Sequence, residues 1–251
     1  LPAVLGGGGK TGLGWGVALQ AIHYEARGRR FTGFLADGSG GRAAAGVLVA
    51  HEGGGLTGHP KEVAERLAGL GHVAFALDLF GDPDLTLEAK MALVRTLRAD
   101  VGELRARTAA AFDVLRAHPN VDPAKLAAIG YCFGGTAAIE LARGGADLKA
   151  VVGFHAGLTP GSPEDNRAIR ARLLLCLGAD DPVVTKAQRD TFAEEMSEAG
   201  ADWEIDLYGG VGHSFTNPEI DAWRFEGFRY DARADARSWA AMRRLFAETI
   251  D

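Results

Sequence analysis

The chain has 251 residues, with 27 Lys and Arg against 33 Asp and Glu, a net charge of −6. Charged residues make up 24% and hydrophobic residues 47%, an ordinary globular balance that speaks against disorder and coiled coil. The acidic balance speaks against an electrostatic nucleic-acid or anionic-membrane binder. Two cysteines, Cys132 and Cys176, cannot build a disulfide framework or a cysteine-based zinc site.

Residues 1–16, rich in glycine, read as a flexible lead-in to a single domain over 17–251. Val17 to Glu25 and Arg30 to Leu35 read as a hairpin around Ala26-Arg27-Gly28. Ala43 to Ala50 is an apolar run, the mark of a strand buried on both faces. Pro60 to Leu70 has apolar residues at helical spacing, and His72 to Asp78 is the next strand. Thr86 to Ala117 steps by three or four residues throughout, with Gly102 bending it or splitting it in two.

Beyond that helix, strands over Lys125–Tyr131, Ala150–Phe154, Arg172–Leu177 and Trp203–Leu207 alternate with helices over Gly134–Arg143 and Lys186–Ala199. A last helix covers Ala234 to Ile250. The alternation predicts an α/β fold: a mainly parallel central sheet with helices on both faces. Ligands of such sheets sit at the carboxyl ends of the strands, so chemistry is expected just after each strand. No apolar stretch reaches the ~18–20 residues that span a membrane.

Gly130-Tyr131-Cys132-Phe133-Gly134-Gly135 follows a strand and opens a helix. That is the setting of a nucleophile elbow in which cysteine stands for serine. The flanking glycines remove side chains that would collide with nearby backbone, and the new helix favours negative charge beside the sulfur. Asp181 follows the strand ending at Leu177, and His213 the strand ending at Leu207. Nucleophile, acid, histidine is the chain order of α/β-hydrolases. Asp180 is a competing acid. His51-Glu52-Gly53-Gly54-Gly55 follows the strand Ala43 to Ala50, so the N–H groups of Gly53 and Phe133 are the expected oxyanion donors, with Glu52 near the sulfur. His155 follows its own strand, and with Phe80, Tyr131 and Trp223 it is expected to line the substrate pocket. Cys176, inside a strand run, reads as core, and His23, His59, His72 and His118 are given no role in the site.

Taken together, these pieces resemble the dienelactone hydrolase (carboxymethylenebutenolidase) family of α/β-hydrolases. Ala76-Leu77-Asp78-Leu79-Phe80-Gly81, Val152-Gly153-Phe154-His155-Ala156-Gly157, Gly212-His213-Ser214-Phe215 and Tyr230-Asp231-Ala232 add to the likeness, in family order from about residue 18 onward. The resemblance implies Cys132 as nucleophile, His213 as base, Asp181 as its orienter, and Glu52 as a group that keeps the thiol from ionising before substrate arrives. It also implies a small-molecule ester or lactone substrate, with no cofactor and no metal. Where dienelactone-cleaving members hold a substrate carboxylate with arginines, this chain reads Asp78-Leu79-Phe80-Gly81-Asp82 and His213-Ser214-Phe215-Thr216-Asn217. Arg95, Arg98 and Arg224 are the remaining candidates, and the departure favours a broader carboxylic-ester hydrolase. The expected setting is cytoplasmic, with no nucleic-acid or membrane partner. The rival readings are a non-catalytic ligand-binding protein of the same fold and a thiol redox sensor pairing Cys132 with Cys176.

Overall fold

A computed structural model describes residues 17–251, and the lead-in expected over 1–16 lies outside the described residues. Eight strands form one sheet in the order β1-β2-β4-β3-β5-β6-β7-β8. The hairpin is β1 (Leu19–Ala26) and β2 (Arg29–Asp37). Its two-residue turn is Arg27-Gly28, both at positive φ, the turn whose twist suits a tight hairpin. From β4 (Val73–Leu77) onward through β3 (Ala44–Ala50), β5 (Val121–Tyr131), β6 (Ala150–Phe154), β7 (Arg172–Gly178) and β8 (Trp203–Tyr208), every pairing is parallel.

Parallel strands need crossovers, and the helices supply them on both faces, as the sequence predicts. One face is covered by α1 (Gly58–Ala68) and α7 (Ala232–Thr249), which bury Val63, Leu67, Trp239 and Phe246. The other carries α2 (Leu87–Ala99), α3 (Val101–Arg116), α4 (Phe133–Arg143) and α6 (Lys186–Ala199). The strand alternation divides β5 between the two cores: Leu126 and Ala128 face α3 and α4, whereas Ala127, Ile129 and Tyr131 face α1 and α7.

The long helical stretch breaks at Asp100, not at Gly102. Asp100 ends α2 and caps α3, its carboxylate accepting from the N–H of Glu103 at 2.9 Å. A capping carboxylate satisfies an orphan donor, whereas Gly102 continues the helix at a modest cost. Two short elements carry no clear periodicity and are missed in the sequence: α5 (Pro163–Arg167) and a 3-10 helix over Pro218–Trp223.

The β5-to-α4 turn is the tightest place in the fold. A Cβ on Gly134 would lie 2.2 Å from the Ala50 carbonyl oxygen, and one on Gly130 would lie 2.0 Å from that of Gly134. These contacts press α4 onto β3 and leave no slack between them. Gly134→Ala is expected to lower unfolding stability by about 1–3 kcal/mol or more in a denaturant titration. Gly209→Ala, at an open site with nothing within 4 Å, is expected to leave the midpoint almost unmoved.

Candidate active site

The carboxyl ends of the strands bring the expected residues to one cavity of about 230 Å³, whose wall includes Glu52, Gly53, Cys132, Phe133 and His213. Cys132 sits at the elbow with φ 52° and ψ −114°, a conformation that few side chains adopt. It is held there by both of its backbone groups. Its N–H donates to the Phe154 carbonyl at 3.0 Å, and its carbonyl accepts from Gly135 and Gly157 N–H, each at 3.1 Å. The side chain therefore stands at the N-terminus of α4.

Asp181, not Asp180, is the partner of His213: its Oδ2 lies 2.7 Å from His213 Nδ1. Its other oxygen accepts from the N–H groups of Val183 and Val184 at 2.7 and 3.0 Å. With Nδ1 bound to a carboxylate, that nitrogen carries a proton in either charge state and Nε2 is the end left to take up or release one. Nε2 is buried with no hydrogen-bond partner among the described residues.

The electrostatics couple the two groups. Burial alone would push the Cys132 thiol up; the neighbouring His213 outweighs it and brings the thiol below its ordinary value of 9.0. Burial would likewise lower His213, but the negative charge on Cys132 and the bond to Asp181 raise it to about 10. Both directions favour thiolate beside imidazolium. Glu52 opposes the thiolate and Arg98 favours it, each less than His213 does.

Both carboxylate oxygens of Glu52 are engaged by groups other than the sulfur. Asn217 Nδ2 donates to its Oε1 at 2.7 Å, Ser214 Oγ donates to its Oε2 at 3.3 Å, and His59 Nδ1 lies 3.1 Å from Oε1. Burial would raise this carboxyl, but His59 and Asn217 together lower it to about 2. A carboxylate so well satisfied is a weak acceptor for a thiol proton, so the restraint on thiol ionisation that the resemblance implies is opposed by the stronger pull of His213. His59, given no role from sequence, is thus part of the site's surroundings. Its only local signal is its place in the first turn of the helix after the Gly53–Gly55 loop.

The Gly53 and Phe133 N–H groups donate to no described residue, leaving both donors free. His51 fixes the first of these loops: Leu79 N–H donates to its Nε2 at 3.0 Å, and its Nδ1 lies 2.7 Å from the Glu52 carbonyl.

Of the four residues expected to line the pocket, Trp223 does so and three do not. Tyr131 lies on the opposite face of β5, stacked on Phe154 at 4.8 Å, because the strand alternation turns it away from Cys132. His155 is fully buried behind His213, ring centroids 5.1 Å apart, with Nε2 2.9 Å from Thr216 Oγ1. Phe80 packs edge-on against His51 at 4.7 Å and borders a neighbouring cavity across Gly55. In their place the wall is built by Met91 and Val94 of α2 and by Val183, Ile220, Phe225 and Phe228. Ser214 and Asn217, which bind Glu52, lie in the stretch after His213 that sequence reading marked only for its lack of arginine.

Of the three candidate arginines, Arg98 alone reaches the cavity. It forms no hydrogen bond or salt bridge with a described residue, and its Nε is buried without a partner. Its Nη2 would lie 2.7 Å from a Cβ on Gly157, so the guanidinium occupies space that this glycine leaves beside the residue bonded to Cys132. The two cysteines are not a pair. Both thiols are free, and they lie on opposite faces of the sheet: Cys132 packs against the core under α3 and α4, and Cys176 is buried in the core under α1 and α7. Among the described residues there is no group of three or more His, Cys, Asp or Glu side chains that could hold a metal ion, and no helix long and apolar enough to cross a membrane.

Sheet order, elbow, and the strand ends bearing Cys132, Asp181 and His213 define an α/β-hydrolase. The dienelactone hydrolase family model matches residues 31–250, and the chain belongs to that family. It is 44% identical to a solved structure titled m3DLH, covering 94% of this chain and 99% of that one with a TM-score of 0.90. A dienelactone hydrolase-like promiscuous phosphotriesterase, P91, from metagenomic libraries gives 38% identity, the same coverages and a TM-score of 0.90. A probable 2-oxo-3-(5-oxofuran-2-ylidene)propanoate lactonase from Bradyrhizobium sp. is 31% identical over 183 residues, 68% of this chain and 73% of the relative. Family membership makes the protein a hydrolase of a small molecule.

The charge coupling sets a pH profile. The thiolate is the alkylated form, so iodoacetamide labelling of Cys132 should rise at a pH below 9.0. His213→Gln removes the lowering influence and leaves burial, so the midpoint should move upward and labelling at pH 7 should slow by at least about tenfold. Rates against pH, with the labelled peptide identified by mass, check both.

Proposed function

We propose that the protein hydrolyses carboxylic esters or lactones through a thioester on Cys132. The observation that carries this reading is the Asp181–His213 bond of 2.7 Å at the wall of the cavity that also holds Cys132. The sulfur attacks the carbonyl carbon, and His213 Nε2 holds the thiol proton. Negative charge gathers on the carbonyl oxygen, where the Gly53 and Phe133 N–H groups receive it, each worth roughly 3–4 kcal/mol in the transition state. His213 then gives its proton to the leaving alcohol, and the C–O bond breaks. In the second half His213 takes a proton from water, hydroxide adds to the thioester carbon, the C–S bond breaks, and the acid leaves with the sulfur as thiolate beside the protonated His213. Asp181 holds the ring in the required tautomer throughout.

The mostly apolar wall suits an ester with an apolar body, and Arg98 is the one lysine or arginine among the residues lining it. In this reading Arg98 takes the place of the arginines missing after β4 and after His213 and would face an anionic group on the substrate. A second reading, hydrolysis of phosphotriesters by the same cysteine, draws its support from the likeness to P91. A tetrahedral phosphoryl centre would use the same nucleophile and the same N–H donors.

Cys132→Ala should abolish turnover of p-nitrophenyl acetate while leaving the unfolding transition nearly in place. Retained turnover in that variant contradicts the proposal. A parallel series with diethyl p-nitrophenyl phosphate separates the two substrate readings. For Arg98, the alkylation rate of Cys132 by iodoacetate relative to iodoacetamide should fall about tenfold in Arg98→Gln and hold in Arg98→Lys. An unchanged ratio in Arg98→Gln contradicts its part.

A further inference from the structure

The carboxylate of Glu52 lies at a junction between the oxyanion loop and the segment that follows His213. Asn217 is the piece that joins them. Its Nδ2 donates to Glu52 Oε1 at 2.7 Å, and its Oδ1 accepts from the N–H of Glu219 at 3.0 Å. The second bond caps the 3-10 helix Pro218–Trp223 at its N-terminus. That helix carries Ile220 and Trp223, two of the apolar groups on the cavity wall. Trp223 then returns to the oxyanion loop, where its ring edge would lie 3.3 Å from a Cβ on Gly54. The circuit is closed: Glu52, Asn217, the 3-10 helix, Trp223, and back to the residue two positions after Glu52.

The aromatic part of this wall needs such a tie. Trp223 is 39% exposed and Phe225 44% exposed, so neither is held mainly by core packing. They touch one another with centroids 5.8 Å apart, and Phe225 meets Phe228 at 5.7 Å. The segment starts under strain, with Ser214 at φ 54°, and its hydroxyl also binds Glu52. Asn217 is buried, so its amide bond to a carboxylate is made away from water, where such bonds count most.

We propose that Asn217 is a positioning residue that sets substrate size: by linking Glu52 to the 3-10 helix, it holds Trp223 and Phe225 as the wall against which the bulky apolar part of the substrate packs. The substrate class is therefore an ester or lactone with an aryl or long alkyl portion, selected over its small counterpart. This deepens the proposed hydrolase reading and rests on the cavity at Cys132 being the substrate site. In this role Glu52 is an anchor, and its bond to Asn217 is independent of whether it ever exchanges a proton with the sulfur.

The test reads the wall without relying on ester turnover. Cys132 is labelled with N-phenylmaleimide and with N-ethylmaleimide, and the ratio of the two rates is divided by the same ratio for N-acetylcysteine. The wild-type protein should favour the phenyl reagent. Asn217→Asp sets two carboxylates against each other and should lower the normalised ratio by about tenfold. Asn217→Ser deletes the link without adding charge and should lower it in the same direction. Adding Glu52→Gln to Asn217→Asp supplies a side-chain donor to the new carboxylate, remakes the link with donor and acceptor exchanged, and should restore the ratio. Trp223→Ala should lose the ratio too, and Glu52→Gln should not recover it there. Thermal unfolding of each variant is followed alongside, so that Asn217→Ser carries the test if Asn217→Asp does not fold.

Phenyl preference that persists in Asn217→Ser or Asn217→Asp overturns the proposal, as does a Glu52→Gln, Asn217→Asp double variant that stays at the level of the single one. Intact maleimide selectivity in a protein that cleaves no ester or lactone counts against the hydrolase reading alone and leaves the role of Asn217 standing.

Discussion

The site depends on how closely α4 can approach the sheet. The Ala50 carbonyl occupies the space a side chain at position 134 would need, and the methyl of Ala156 fills that at position 135, where a Cβ would lie 2.3 Å away. Only glycine permits the strand to end and the helix to begin within one residue. Cys132 is the residue in that gap, so its unusual backbone angles follow from the packing on either side. The same approach puts Cys132 at the N-terminus of α4, with its carbonyl accepting from Gly135 N–H, and leaves the Phe133 N–H without a partner among the described residues. Backbone packing thus fixes Cys132, the free Phe133 N–H and the helix N-terminus together, the arrangement the proposed chemistry uses.

Charge then decides what the sulfur is. Burial penalises a thiolate, and the imidazole of His213, held from behind by Asp181, outweighs that penalty. Asp181 is itself held by two backbone N–H groups and is fully buried. Glu52, the other carboxylate of the site, is engaged by three polar neighbours, Ser214, Asn217 and His59. The two acids lie on different loops and hold different groups: Asp181 binds the His213 ring, and Glu52 binds Ser214 and Asn217 in the segment that follows it.

Much of this was legible in the sequence because it depends on local rules. The parallel strands are short apolar runs, the elbow is written in three glycines around Cys132, and the order of Cys132, Asp181 and His213 places each after its own strand. The choice of Asp181 over Asp180 rests on the family resemblance, not on local rules, since both follow β7 and the turn made by Val183 and Val184 aims Asp181 at His213. Tyr131 lies outside the cavity although it neighbours Cys132. The period-two alternation sends it to the other face until the strand ends, and the elbow then resets the direction. Arg98 could not be separated from Arg95 by helical spacing alone, because the choice depends on how α2 lies across the Gly53 loop. His59, Ser214 and Asn217 join through Glu52 from three separate segments, and no periodicity records a contact of that kind.

The most direct measurement of the central claim is rapid acid quench of the enzyme during turnover of p-nitrophenyl acetate, followed by peptide mass spectrometry. The account expects an acetyl group on the peptide holding Cys132, labile to hydroxylamine as a thioester is, formed and lost at rates consistent with turnover. Turnover with no acyl group on that cysteine, or with the acyl group on another residue at a competent rate, would contradict it.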